Sequence, residues 1–258
     1  MSSPDTSEPQ NTSEPQNTPE PLSPEAIASI RGNLDEVATC TATAAEASGR
    51  TSADVQVMLA TKTQPAPKIR VALEHGFTLI GENKVQELVG KADDLADLEH
   101  EAHLIGPLQK NKVNHTLRHA HCIQSVDNLE LATKINNRLE VLDQTLDIFV
   151  QVNTSREDSK SGIAPEEAEA LIAELREHTR MRLRGLMTIG LPGRTPEEIR
   201  PSYGDLRELS EKLIGSGAMP AEAKELSMGM SNDFELAIAE GATMVRVGSS
   251  VFGARDYT

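Results

Sequence analysis

The chain has 258 residues, a formal net charge of −15 and a hydrophobic fraction of 38%. That length can bury one large core or two small ones, and the excess of acids disfavours a nucleic-acid partner, whose phosphates it would repel. No apolar run approaches the roughly 18 residues needed to span a bilayer, and two cysteines, Cys40 and Cys122, are too few for a disulfide framework, so with no visible signal sequence a cytoplasmic protein is expected.

In chain order, residues 7–18 read SEPQNT twice, inside a stretch of Ser, Pro, Glu, Gln and Asn. Such a segment buries too little apolar surface to offset its ordering entropy, so residues 1–22 are expected to be a disordered tail and 23–258 a single domain. Ser23-Pro24 reads as an N-cap with proline at the first helical position, opening an Ala-rich helix over Glu25–Ala47 that Gly49 ends. Short apolar runs then alternate with amphipathic stretches. The runs, read as strands, are Val55–Ala60, Thr78–Ile80, Ala102–Ile105, Cys122–Val126, Leu146–Val152, Arg184–Ile189, Glu225–Met228 and Met244–Val247. The helices between them are Pro67–Glu74, Val85–Leu98, Gln109–His119, Leu129–Leu142, Pro165–His178, Pro196–Ile214 and Phe234–Ala239. Thr195-Pro196-Glu197-Glu198 is a capping box that supports one boundary. Eight strands separated by helices define an α/β chain, a single (β/α)8 TIM-type barrel with an extra N-terminal helix; an open doubly wound sheet is the alternative. With no Trp, two Tyr and four Phe, its core must be aliphatic.

In such a barrel the site lies at the C-terminal ends of the strands. Those ends read Thr61-Lys62, Gly81-Glu82-Asn83, Gly106-Pro107, Ser125-Val126-Asp127, Gln151-Val152-Asn153, Met187-Thr188, Ser227-Met228-Gly229-Met230-Ser231 and Arg246-Val247-Gly248-Ser249. Lys62 ends the first strand, where partial desolvation would make its amine a nucleophile, although a solvated surface lysine is the plainer reading. Loops after strands 7 and 8 commonly bind phosphate through backbone N–H groups, and Ser227–Ser231 with Val247–Ser250 supply hydroxyls and glycine for that purpose. Helix capping by Ser231 or Asn232 is the plainer reading there. A lysine beside a phosphate cup suits a carbonyl-bearing phosphate, either pyridoxal 5′-phosphate (PLP) or a sugar phosphate. His115, His119 and His121 could approach a metal, but no acid or second cysteine completes a ligand set, and no metal is expected.

These motifs resemble a known family. Ala60-Thr61-Lys62-Thr63-Gln64-Pro65, Gly81-Glu82-Asn83-Lys84-Val85-Gln86-Glu87, Ile105–Lys112, Ser125-Val126-Asp127, Gln151-Val152-Asn153, Lys160-Ser161-Gly162, Gly185–Ile189, Leu226–Ser231, Val245–Ser249 and Val251–Arg255 occur in the order and spacing of the pyridoxal phosphate homeostasis proteins. Those are single-domain PLP-binding barrels similar to the N-terminal domain of bacterial alanine racemases. The resemblance covers Ser23 to Tyr257, about nine-tenths of the chain, and so many ordered motifs are far more specific than any one. It implies a Schiff base on Lys62, Asn83 beside the pyridine ring, Ser227, Gly248 and Ser249 on the phosphate, and Arg246 at the ring nitrogen. The chain departs from the family at Thr61, where serine is usual, at Ala102, where an aromatic is frequent, and in its N-terminal tail.

The resemblance implies a role in vitamin B6 homeostasis, with PLP as cofactor and apo PLP enzymes as possible recipients. A PLP-dependent amino-acid racemase is the alternative and a sugar-phosphate aldolase a distant third. Two-base racemisation needs a proton carrier on each face, and Lys62 supplies one. Racemases take the other from a second domain of a partner subunit; no such domain is expected after Arg255, so a non-catalytic carrier and a monomer are expected. Tyr203 falls in a predicted helix and Tyr257 in the terminal tail. An arginine at the ring nitrogen cannot give up its proton near neutral pH, which keeps the ring a poor electron sink.

Overall fold

Ser23 Oγ accepts the Ala26 N–H at 3.2 Å and Pro24 fills the first turn, which starts the 24-residue helix α1 (Pro24–Ala47). In this computed structural model, which describes residues 21–157, 160–191, 193 and 195–253, α1 buries Ile30, Leu34, Val37, Thr41 and Ala45, spaced three or four apart on one face. Gly49, at φ +74°, turns the chain away. Asn33 Nδ2 then donates to the Val251 carbonyl at 2.8 Å, fixing the helix to the far end of the chain.

The remaining elements alternate: β1 (Gln56–Ala60), α2 (Ala66–Glu74), β2 (Leu79–Glu82), α3 (Val85–Leu95), β3 (Glu101–Leu104), α4 (Val113–Thr116), β4 (Cys122–Val126), α5 (Leu129–Leu142), β5 (Leu146–Gln151), α6 (Ala168–Leu175), β6 (Met181–Met187), α7 (Pro196–Gly215), β7 (Glu225–Met230), α8 (Phe234–Ala239), β8 (Met244–Val247) and α9 (Ser249–Phe252). Every strand pairs in parallel with the next, and β8 closes on β1 with Met58 opposite Arg246 and Leu59 opposite Val247. The expected eight-stranded barrel is formed, and the doubly wound alternative is excluded by that closing pair.

Alternation along each strand divides the core in two. Met58, Cys122, Phe149, Met187 and Met244 fill the barrel interior. Leu59, Ile80, Leu104, Ile123, Ile148, Val150, Leu226 and Val245 face outward against the helices, with Leu34, Ile69, Leu95, Ile135, Leu139 and Leu206 opposite them. Each such side chain contributes about 1.5–3 kcal/mol on burial, so the aliphatic shell carries the fold.

Some boundaries differ from expectation. The stretch Gln109–His119 splits into a 3-10 turn, Lys110–Lys112, and the four-residue α4. β6 begins at Met181, ahead of Arg184, because Arg182 and Arg184 place their charges on Asp147 and Glu225 at the N-terminal end of the barrel. Helix α9 was not anticipated. Of the segment expected to be a tail, residues 1–20 lie outside the described residues, while Leu22 packs on the core.

Candidate functional site at the C-terminal mouth

The six residues singled out from the sequence come from β1, β2, β7 and β8 or the residues just after them, which are contiguous around the closed barrel. Lys62 leaves β1 and Asn83 leaves β2; the register pairs Ala60 with Gly81, so the two emerge side by side, both half-buried. Gly248 and Ser249 follow β8 on the other flank of β1. A Cβ at Gly248 would lie 2.8 Å from the Ala60 carbonyl oxygen, so only glycine lets the backbone pass this close to the strand that carries Lys62.

Arg246 projects from β8 into the interior and is 5% exposed. Its NH1 donates to Ser227 Oγ and its NH2 to the Thr188 carbonyl, each at 2.7 Å. Both acceptors are neutral, and among the described residues Arg246 forms no salt bridge. Burial therefore pulls the guanidinium down to about 10, against the opposing pull of the Tyr203 and Asp233 oxygens. It remains a cation at neutral pH.

Ser227 is fully buried, and its hydroxyl is committed on both sides. It donates to Gln124 Oε1 at 2.7 Å and accepts from Arg246. Gln124 Nε2 in turn lies 3.0 Å from His103 Nδ1 and 3.0 Å from Met244 Sδ. A hydrogen-bonded chain thus runs from β3 through β4 and β7 to β8, and it fixes where Arg246 points. With its single proton on Gln124, Ser227 is placed to orient the arginine. Gln124 was not singled out from the sequence, yet a glutamine amid the fully buried strand Cys122–Val126 is a legible signal.

Anion-binding capacity lies one layer higher. The N–H groups of Gly248 and Ser250 converge on Ser231 Oγ at 2.9 and 3.4 Å. One oxygen thus takes two backbone donors, as a phosphate oxygen would. Ser231 does not cap α8; Asp233 holds the N-cap position, with its Oδ1 accepting the Met230 N–H at 2.6 Å. Ser250 Oγ is buried and has no hydrogen-bond partner, an unmet polar group in the same loop.

Elsewhere, Tyr203 on α7 is wholly buried, and burial with Asp233 nearby pushes its phenol far above its usual range. Tyr257 lies outside the described residues. His119 and His121 line a cavity of about 180 Å³ outside the barrel with Glu82 and Lys91, and His121 Nδ1 accepts the Ala102 N–H at 3.0 Å. Among the described residues no group of three or more His, Cys, Asp or Glu side chains could hold a metal ion, and no helix is long and apolar enough to cross a membrane.

Comparison with known proteins agrees with this geometry. The family model described as alanine racemase, N-terminal domain, matches residues 32–256. Fold and match together define the class, a barrel of the alanine racemase N-terminal type. The pyridoxal phosphate homeostasis protein of Pseudomonas aeruginosa is 40% identical over 232 residues, which cover 90% of this chain and 98% of the relative. This chain belongs to the pyridoxal phosphate homeostasis protein family. Among solved structures, an unknown protein from Bifidobacterium adolescentis superposes with a TM-score of 0.85 at 36% identity, covering 91% of this chain and 98% of its own. PipY of Synechococcus elongatus, solved with PLP bound, superposes at 0.76 with 31% identity, covering 87% and 100%.

Proposed function

We propose that this chain binds pyridoxal 5′-phosphate at the C-terminal mouth of the barrel and holds it for delivery, without turning over a substrate of its own. The observation that carries the reading is Arg246: a buried cation whose outer nitrogens meet only neutral acceptors, on the strand next to the one that leads to Lys62 and ahead of a loop with one unmet buried hydroxyl. A buried charge without a counter-charge is costly, and an acceptor supplied from the mouth would offset that cost.

The residues present fit the cofactor. Lys62 would take its aldehyde. Asn83 would flank the ring, and Arg246 would donate to the ring nitrogen. The N–H groups of Gly248 and Ser250, with Ser249, Ser231 and the orphaned Ser250 hydroxyl, would take the phosphate. Ser227 belongs to this set through Arg246, which it orients. When bound, PLP supplies an aldehyde that condenses with amines and a ring that accepts electron density when its nitrogen is protonated. Arg246, still protonated well above neutral pH, donates a hydrogen bond at that position and does not hand over the proton. Tyr203 is buried and strongly disfavoured as a phenolate, so it gives no second base. These features support a carrier that supplies PLP to apo enzymes, in keeping with the homeostasis role named for the relatives.

The test is a PLP titration of cofactor-free protein followed by chiral analysis of alanine and other common amino acids incubated with the loaded protein. Saturable binding with no racemisation or transamination above a Lys62→Ala control is expected. Robust racemisation that Lys62→Ala abolishes would overturn the carrier reading in favour of a racemase.

A further inference from the structure

The turn that presents Lys62 is gripped from outside the barrel by groups that have no part in the cofactor site itself. Thr61 Oγ1 donates to Glu82 Oε1 at 2.6 Å. The Thr61 carbonyl accepts from Lys91 Nζ at 2.8 Å. On the other side of Lys62, the Thr63 N–H donates to Glu87 Oε2 at 2.5 Å. Lys91 Nζ also donates to Glu82 Oε1 at 2.7 Å and to Glu87 Oε2 at 3.0 Å, so the three protons of the ammonium go to three different acceptors. The residues immediately before and after Lys62 are therefore both fastened to one cluster on β2 and α3.

A plainer account is that this cluster only ties α3 to β2. Three features weigh against it. Glu82 is 1% exposed and its Oε2 has no hydrogen-bond partner. An apolar pair would join the two elements without burying charge in this way. Two of the five bonds reach the backbone of the turn, which neither element needs for packing. Thr63 is also held at φ +64°, a left-handed conformation that a β-branched residue avoids unless its surroundings impose it. The Glu87 bond to its N–H is such an imposition.

We propose that Glu87 and Lys91 are positioning residues for Lys62: by fixing the Thr63 amide and the Thr61 carbonyl, they set where the lysine enters the mouth. The proposal rests on Lys62 being the residue that takes the cofactor, and the experiment separates the two ideas. Glu87→Ala and Glu87→Gln are compared with the unmodified protein; Glu87 lies in the first turn of α3 and is partly exposed, so both variants should fold. Three quantities are read: amide hydrogen exchange at Thr63 and the pH profile of Lys62 acetylation by acetic anhydride, both in cofactor-free protein, and the rate at which borohydride traps PLP on the Lys62 peptide.

In Glu87→Ala, Thr63 exchange and the Lys62 acetylation profile should both change. Trapping should slow roughly ten- to a hundredfold, the size of one hydrogen bond to a charged group. Glu87→Gln keeps an oxygen that can accept the Thr63 N–H and should recover most of the rate. If Thr63 exchange rises while Lys62 acetylation and trapping stay at the unmodified level, the positioning role is overturned. Equal defects in both variants, following a common fall in melting temperature, would reduce the cluster to a structural tie and also overturn it. A label on another lysine in the unmodified protein would instead sink the choice of Lys62.

Discussion

Arg184 and Arg246 lie toward opposite ends of one barrel, and only one of them meets carboxylates. At the N-terminal end Arg184 donates to Asp147 at 2.7 Å and to Glu225, while Arg182 reaches Asp147 at 2.6 Å. Burial would lower the Arg184 guanidinium, yet Glu225 and Asp147 outweigh it and raise it above its usual value. At the C-terminal mouth Arg246 has a hydroxyl and a carbonyl, and burial prevails. A mouth whose charges complete one another serves the fold; a mouth left with an unmatched cation and an unmet hydroxyl is prepared for something that is not protein.

Exchanging each arginine for methionine should separate the two ends. Arg246→Met should weaken PLP binding roughly ten- to a hundredfold, the loss of a charge-assisted bond, while the cofactor-free protein melts no lower because a buried unmatched charge has gone. Arg184→Met should leave PLP affinity unchanged and lower the melting temperature by at most a few degrees, since its pairs are partly exposed. Fluorescence titration and thermal melts of both variants would check this. The same pattern in both would erase the distinction.

Within the C-terminal mouth, Ser227 and Ser250 should differ in kind. Ser227→Ala leaves Arg246 NH1 and Gln124 Oε1 without their partner, so PLP and pyridoxal should weaken together, severalfold. Ser250→Ala removes a donor that only the phosphate would engage, so PLP should lose roughly tenfold and pyridoxal almost nothing. Competition of each vitamer against a fluorescent analogue would distinguish them; PLP-selective weakening in Ser227→Ala would return that serine to the phosphate. The smallest effect is expected at the N-terminus. Removing residues 1–20 should change neither melting temperature nor affinity measurably.

The order of the barrel was legible because apolar runs and helical periodicity alternate without ambiguity, and β4, α5, α8 and β8 fall where the pattern puts them. The ends of strands could be singled out as a candidate site because loop chemistry concentrates there. What escaped were contacts between residues far apart in sequence. Ser227 reads as a phosphate ligand from its motif, but its partners Gln124 and Arg246 lie 103 and 19 residues away. Ser231 reads equally well as a helix cap until α8 is seen to start from Asp233. The start of β6 was missed because its two arginines break apolar alternation for the sake of ion pairs.

The measurement that bears most directly on the site is borohydride reduction of PLP-loaded protein followed by peptide mapping. A pyridoxyl group on the peptide containing Lys62, absent in a Lys62→Ala variant that melts like the unmodified protein, is the expected result. Label on Lys84, Lys112 or any other lysine, or undiminished labelling in Lys62→Ala, would contradict it.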